Sequence, residues 1–538
     1  MVVAVLLFAG CGEEPAQPHA EAIEAPMPEM DSLRLLSRMS LDLRGTRPSR
    51  DEIEQVSADP EALDDVLDAL LLDARFGERI RKLYAEIYLT ESDSFMVTAE
   101  DFGIESTPDF LAALGQEPLR ILEHVANTDM PWTEIVVGDW TRANATLAAM
   151  FPLDIDEDVE GWVEARYTDA RPSAGVLSTS GMWLRYTSTQ SNANRGRANA
   201  VSRILLCNDY LTRPLEFDRN VDLLDEDAVA DAIANTPSCV NCHTSLDPIA
   251  GYLFGFWSFQ EQSWVEVSTY HPDRELLWET YTGVPPAFYG APGESLADLG
   301  QQIAADARFP SCAVEQVYSL LLQRDVTLAD TDALTMHREA FLDSGLTMRS
   351  LVRSVVSDAR YRAGQTDAEG AVPTKLLSPD LVASSIEDLT GYPWVYSGYE
   401  MLRSDTVGVR TLAGGADGVT VIQNTTSPNT TIILVNERLA EAAASHVVDA
   451  DAARAAAERR LFTAVDFTET PDTGQDAVVE QIQHLQLRVF GRPVAVDSEE
   501  VDANLALWKE LYAIEGSAPA AWSALLSALL RDPDFLLY

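Results

Sequence analysis

Apolar positions recur at helical spacing along most of the chain, and three stretches share one design. In the first, from Leu35 to Arg79, the residues Val66, Leu67, Leu70 and Leu71 fall on one face of a 3.6-residue helix. A turn marked by arginine, Arg44-Gly45-Thr46-Arg47-Pro48, comes before them. Asp51 and Glu52 then stand near a helix start, where acidic side chains suit the positive end of the helix dipole. The stretch closes on Asp73-Ala74-Arg75-Phe76. The second, Val317 to Arg362, carries Gln323-Arg324-Asp325 early and Ser357-Asp358-Ala359-Arg360-Tyr361 at its end. The third, His484 to Tyr538, carries Phe490-Gly491-Arg492-Pro493 early and Arg531-Asp532-Pro533-Asp534-Phe535 at its end. Each reads as an apolar helix, a turn marked by arginine, and an amphipathic helix closing on Asp and an aromatic. The spacing varies, so the pattern predicts a repeated two-helix unit and not a solenoid of fixed period.

Between the first two units, residues 120–151 read as mostly helical, broken at Asp129-Met130-Pro131-Trp132. Residues 175–206 open on Gly175-Val176-Leu177-Ser178, cross a polar stretch from Thr187 to Asn194, and continue as a helix from Arg195 to Leu206. Residues 258–295 read as irregular, and 363–373 as a linker. The whole predicts a mostly α, multidomain chain. An N-terminal helical domain takes 31–170. A module around residues 239–243, with its following helical unit, takes 171–362. A C-terminal helical domain takes 374–538.

The first eleven residues, Met1-Val2-Val3-Ala4-Val5-Leu6-Leu7-Phe8-Ala9-Gly10-Cys11, form an apolar run ending in small residues and a cysteine. They look like a bacterial lipoprotein signal. On that reading residues 1–10 are removed, Cys11 is lipidated, and 11–30 form a tether rich in Pro, Ala and Glu. The expected place is the cell envelope, lipid-anchored to a membrane and facing the periplasm or the cell surface. The apolar run is too short to span a bilayer as a helix.

Charge narrows the partners. The 86 acidic residues outnumber the 38 basic ones, for a formal charge of -48. Lysine occurs only at Lys82, Lys375 and Lys509. Such a surface repels phosphate backbones, which excludes nucleic acid as a partner. A protein docking electrostatically has to present a basic patch.

The chemistry concentrates in Cys239-Val240-Asn241-Cys242-His243, the C-x-x-C-H spacing of covalent c-type haem attachment. Two thiols three positions apart on a tight turn each reach one vinyl group of a porphyrin, and the next residue places an imidazole under the iron. Two other readings compete. Cys239 and Cys242 could form a redox or structural disulfide, although their flanks lack a βαβ context. They could also bind zinc with Cys207, Cys312 or His243, although no second compact ligand pair is present. Of the five cysteines, Cys207 and Cys312 remain once lipid and haem take theirs. They are a disulfide candidate in an oxidising compartment, with two free thiols as the alternative. Met182, His271, Met336, His337 and Met348 are the candidates for a distal iron ligand. Phe254, Phe256 and Trp257 could wall a porphyrin or simply pack in a core. Asp154 to Asp158 alternates carboxylates like a calcium loop, but Val159 and Ala165 stand where that loop needs glycine and glutamate. Gly414-Gly415-Ala416-Asp417-Gly418 lacks the Lys-Ser/Thr of a phosphate cradle.

From Cys239 to Gly251 the chain reads Cys-x-x-Cys-His-x-x-x-Asp-Pro-Ile-x-Gly. This resembles the cytochrome-c-like modules of large exported proteins of planctomycetes and myxobacteria, a series of domains of uncharacterised function. Gly138-Asp139-Trp140, Gly175-Val176-Leu177, Arg195-Gly196 and Leu205-Leu206-Cys207 fall in the order seen there before the haem string. Phe309 through Cys312 to Arg324, and then Ser344-Gly345 to Ser357-Asp358, are similar to the helices after it. The resemblance implies an exported, mostly helical protein with one covalent haem c and no established substrate. Cys239 and Cys242 would carry the thioethers and His243 would be the proximal iron ligand. Electron transfer to or from a partner oxidoreductase is the leading expectation. A haem enzyme with an open distal site, oxidative or peroxidatic, and a surface-binding lipoprotein with structural haem are the rivals.

Overall fold

The computed structural model describes residues 29–212, 225–257, 269–364 and 374–538. The signal, Cys11 and nearly all of the tether lie outside the described residues, as do 258–268 and most of the 363–373 linker. The described chain is mostly helical. Its named strands form three short two-stranded antiparallel sheets. Thr141–Ala143 pairs with Val163–Ala165, Ala287–Phe288 with Ala291–Pro292, and Val395–Tyr396 with Tyr399–Glu400. Among the described residues no helix is long and apolar enough to cross a membrane.

The repeated unit recurs three times, but with three helices before the closing aromatic instead of two. The first has Ser32–Arg44, Arg50–Ala58 and Leu63–Leu72. The second has Arg308–Leu322, Thr331–Asp343 and Met348–Val356. The third has Gln475–Phe490, Glu499–Glu515 and Ala518–Leu530. The extra break comes from backbone chemistry that the apolar period does not register. Asp59-Pro60 ends one helix and starts the next turn. Gly345 and Gly516 take φ of +76°, a left-handed geometry that stops a helix at little cost only for glycine.

The closing aspartate has one job in every copy. Asp73 accepts from the Arg75 amide at 2.9 Å, Asp358 from Arg360 at 2.7 Å and Asp532 from Asp534 at 2.9 Å. Three residues after each, Phe76, Tyr361 and Phe535 are buried. A fourth copy, Asp306 capping Arg308 at 2.8 Å with buried Phe309, opens the first helix of the second unit.

One apolar core runs from Met30 to Tyr361, and the helices of 31–170 and of 171–362 share it. A second core spans Leu376 to Leu536 and takes in Leu41 from the first helix. A buried polar hub next to Leu41 joins the two. The Tyr361 and Tyr538 hydroxyls donate to the Asp42 carboxylate, each at 2.7 Å. The Lys375 ammonium pairs with Asp42 and donates to the Leu321 carbonyl at 2.9 Å. Burial pushes Lys375 down to about 7 against the attraction of Asp42. Gly175 shows why glycine stands in its segment: φ is +53°, and a Cβ there would strike the Ile135 carbonyl.

His484, on the first helix of the third unit, should make the fold acid-sensitive. Burial lowers its imidazole to about 4, with the charges of Arg488 and Arg50 adding to the effect. The unfolded chain binds a proton near pH 6.5 that the folded chain refuses until about 4. Stability should therefore fall as pH drops through that window, by up to roughly 3 kcal/mol at about 1.4 kcal/mol per pH unit. His484→Leu should flatten this part of the acid-unfolding curve. A curve as steep as that of the parent chain would locate the acid sensitivity elsewhere.

Candidate functional site

The Cys-x-x-Cys-His string lies on a helix, Pro237–Gly251, and not on a tight turn. Pro237 stands in the first turn, where its missing N–H costs nothing and its fixed φ is already helical. Cys242, Leu246, Ile249 and Ala250 form the buried stripe of this thiol helix. It packs on the Arg195–Leu206 helix and on the Ala287–Phe288 strand. The helix preserves what the spacing was expected to deliver, because residues at i and i+3 are neighbours on one side. Cys239 is half-buried, Cys242 is buried, and both are free thiols.

His243 follows on the exposed flank, its side chain 23% accessible. Its Nδ1 lies 3.0 Å from Oδ1 of Asp247, one turn on. Arg195 grips the same carboxylate from the neighbouring helix: Nε donates to Oδ1 at 2.6 Å and an Nη to Oδ2 at 3.1 Å. Burial opposes ionisation of Asp247, but the hydrogen bonds from His243 and Arg195 outweigh it and hold the carboxyl below its ordinary range. A carboxylate can only accept, so the contact places a proton on Nδ1, and in the neutral ring it is the single one. That leaves Nε2 with its lone pair available to a metal.

Cys207 and Cys312 are joined by a disulfide, with Cα atoms 5.2 Å apart. The bridge ties the end of the Arg195–Leu206 helix to the Arg308–Leu322 helix, and it spends these two sulfurs on each other. Cys239, Cys242 and His243 are the cysteine and histidine residues of the string that stay uncommitted at sulfur and Nε2.

The distal candidates are scattered. Met182 and Met348 are enclosed in the main core. His337 is buried, with Nδ1 2.8 Å from the Ser354 hydroxyl and Nε2 3.4 Å from the Asp358 carboxylate. Met336 is half exposed on the same helix as His337. His271 returns to the motif's own segment: its amide donates to the Gly255 carbonyl at 2.7 Å, and its Nε2 lies 3.1 Å from the Thr269 hydroxyl. Of the three aromatics, Phe256 packs in the main core against Trp183 and Tyr270. Phe254 and Trp257 form a small cluster with Ala193, Trp278 and Tyr281.

Two arginines matter that the sequence reading gave no role. Arg195 is one. Arg197 is the other: it is buried and donates to the carbonyls of Tyr186 (2.8 Å), Phe256 (2.9 Å) and Trp183 (3.3 Å) and to Oδ1 of Asn194 (3.1 Å). Burial lowers this guanidinium to about 9. It pins the turn after the thiol helix to the polar stretch before Arg195. In that stretch the Asn194 Nδ2 is buried without a partner.

A cleft of about 370 Å³ elsewhere, lined by Lys82, Arg81, Arg120, Asp109 and Arg403, is a weaker candidate. Its cations are already committed. Arg81 pairs with Glu78, Glu91 and Glu123, Lys82 lies 3.4 Å from Glu91, and Arg403 pairs with Asp380 and Glu400.

The donor set at the thiol helix fits a covalently held haem. It offers two free thiols at i and i+3, an imidazole with Nε2 free, and nearby a buried amide donor able to meet a carboxylate. The described residues 29–113 include the first repeated unit, and there the comparison with known families adds a finding. The model of the PSCyt2 family, a protein of unknown function (DUF1549), matches residues 16–113. The match ends well before Cys239. No curated protein and no solved structure matches the chain.

Proposed function

We propose that this chain is a mono-haem c-type protein of the bacterial cell envelope, anchored by lipid on Cys11, that passes electrons to or from a partner oxidoreductase. One observation carries the proposal. Two unbridged thiols sit one helical turn apart, directly ahead of a histidine whose Nδ1 is committed to Asp247. Cys239 and Cys242 would form the thioethers, and Nε2 of His243 would be the proximal ligand. Bound there, haem supplies a one-electron iron couple. The protein's part is to hold the imidazole in one orientation and tautomer and to keep the site against a packed core. The formal charge of -48 favours a partner with a basic patch, and such an encounter slows as ionic strength rises. A haem enzyme with an open sixth position is the second reading. It is favoured by the enclosure of Met182, Met348 and His337 in packed surroundings.

The test is acid–acetone extraction of protein matured with the haem-attachment machinery. The colour should stay with the protein pellet, since thioethers survive treatment that strips coordinated haem. Cys239→Ser with Cys242→Ser should abolish retention. A colourless wild-type pellet would overturn the proposal. Absorption spectra of the reduced protein with and without carbon monoxide then separate the two readings. An unchanged spectrum supports a closed carrier, and a shifted one an open site.

A further inference from the structure

We propose that Asp247, gripped by Arg195, is a positioning residue that sets how strongly the site holds its electron, acting through His243. This rests on the haem reading above. The carboxylate oxygen that meets Nδ1 of His243 at 3.0 Å also takes the Nε of Arg195 at 2.6 Å. The Asp247 side chain is only 7% accessible. In such surroundings water screens the carboxylate weakly, and its pull on the Nδ1 proton is felt across the ring.

The direction follows from elementary chemistry. A carboxylate accepting from Nδ1–H draws that proton toward itself. Electron density at Nε2 rises, and the nitrogen becomes a stronger donor. A stronger donor favours the oxidised iron, so Asp247 lowers the reduction potential. Arg195 acts against it. Its guanidinium takes both carboxylate oxygens and withdraws charge from them, which tempers the pull on the imidazole. The pair is therefore a push with a governor. Arg195 begins the helix on which the thiol helix rests, so the governor is fixed to the scaffold and not to the motif. A purely mechanical role, stapling two helices together, is the rival. It predicts lost stability with no change in potential.

The experiment uses the full chain matured with haem and titrated spectroelectrochemically. Asp247→Asn should raise the midpoint potential. The expected size is about tenfold in the ratio of oxidised to reduced protein at a fixed potential, or about 59 mV for a one-electron couple. Asp247→Glu keeps the charge and should retain most of the parent value. Arg195→Gln should move the potential the opposite way, downward. The iron–histidine vibration of the reduced protein should weaken in Asp247→Asn. Haem attached in Asp247→Asn with an unchanged potential and vibration overturns the proposal and leaves the haem reading intact. If Asp247→Asn does not mature, Arg195→Gln decides: a lowered potential supports the proposal, and an unchanged or raised one overturns it. A wild-type chain without covalent haem overturns both.

Discussion

The Asp42→Ala variant is expected to lose about 3–5 kcal/mol of stability, the usual cost of removing one partner of a buried ion pair. The carboxylate accepts from the Tyr361 and Tyr538 hydroxyls and pairs with the Lys375 ammonium. Its loss takes the acceptor from the Tyr361 and Tyr538 hydroxyls and leaves Lys375 with the Leu321 carbonyl alone, so Lys375 must shed its proton or remain an isolated buried charge. The damage should spread to both cores, because Asp42 belongs to the first helix while Lys375 and Tyr538 pair backbone to backbone at 2.7 and 2.9 Å beside the second. Denaturant unfolding of the variant should show a lower midpoint. Lys375→Met placed on top should recover about 2 kcal/mol, since it removes the stranded charge. If the double variant is no more stable than Asp42→Ala alone, the ion pair is not what joins the two parts of the fold.

Opening the Cys207–Cys312 bridge should cost roughly 4–5 kcal/mol. The two cysteines are 105 residues apart, and the chain-entropy model gives a loop of that size about this value before native-state effects. Cys207→Ser with Cys312→Ser should shift the unfolding midpoint accordingly, and reductant should then have no further effect on stability. In the unfolded, unreduced and haem-free protein, alkylation should label Cys239 and Cys242 and spare the other two. Labelling of all four would remove the basis for this prediction.

Helices, the repeated unit and the string at 239–243 could be read from the sequence because each is a local pattern. Val66, Leu67, Leu70 and Leu71 mark a face by spacing alone, and all four are buried. The third helix of each unit was hidden for an equally local reason. A period of apolar residues runs on across Pro60, Gly345 or Gly516 while the backbone turns. Long-range polar pairing could not be read at all. Nothing in the text Arg195-Gly196-Arg197 specifies that one guanidinium will meet Asp247, 52 residues on, while the next satisfies three carbonyls from two segments. The tight turn expected for the two cysteines became a helix because Pro237 is well placed to start one and Leu246, Ile249 and Ala250 supply a buried face. Five distal candidates looked equivalent in the linear chain. Packing separates them, with Met182, Met348 and His337 enclosed and His271 held against the segment that follows the thiol helix.

The Cys207–Cys312 bridge has a consequence for survival of proteolysis. The thiol helix lies wholly inside the ring it closes. A protease that nicks the backbone anywhere between 208 and 311 opens that ring without splitting the molecule. The fragments stay one covalent species, migrate as one until reduced, and keep the attachment helix fastened to the scaffold it packs on. Shedding that helix requires two cuts within the ring, one on each side of it, or reduction as well as a cut.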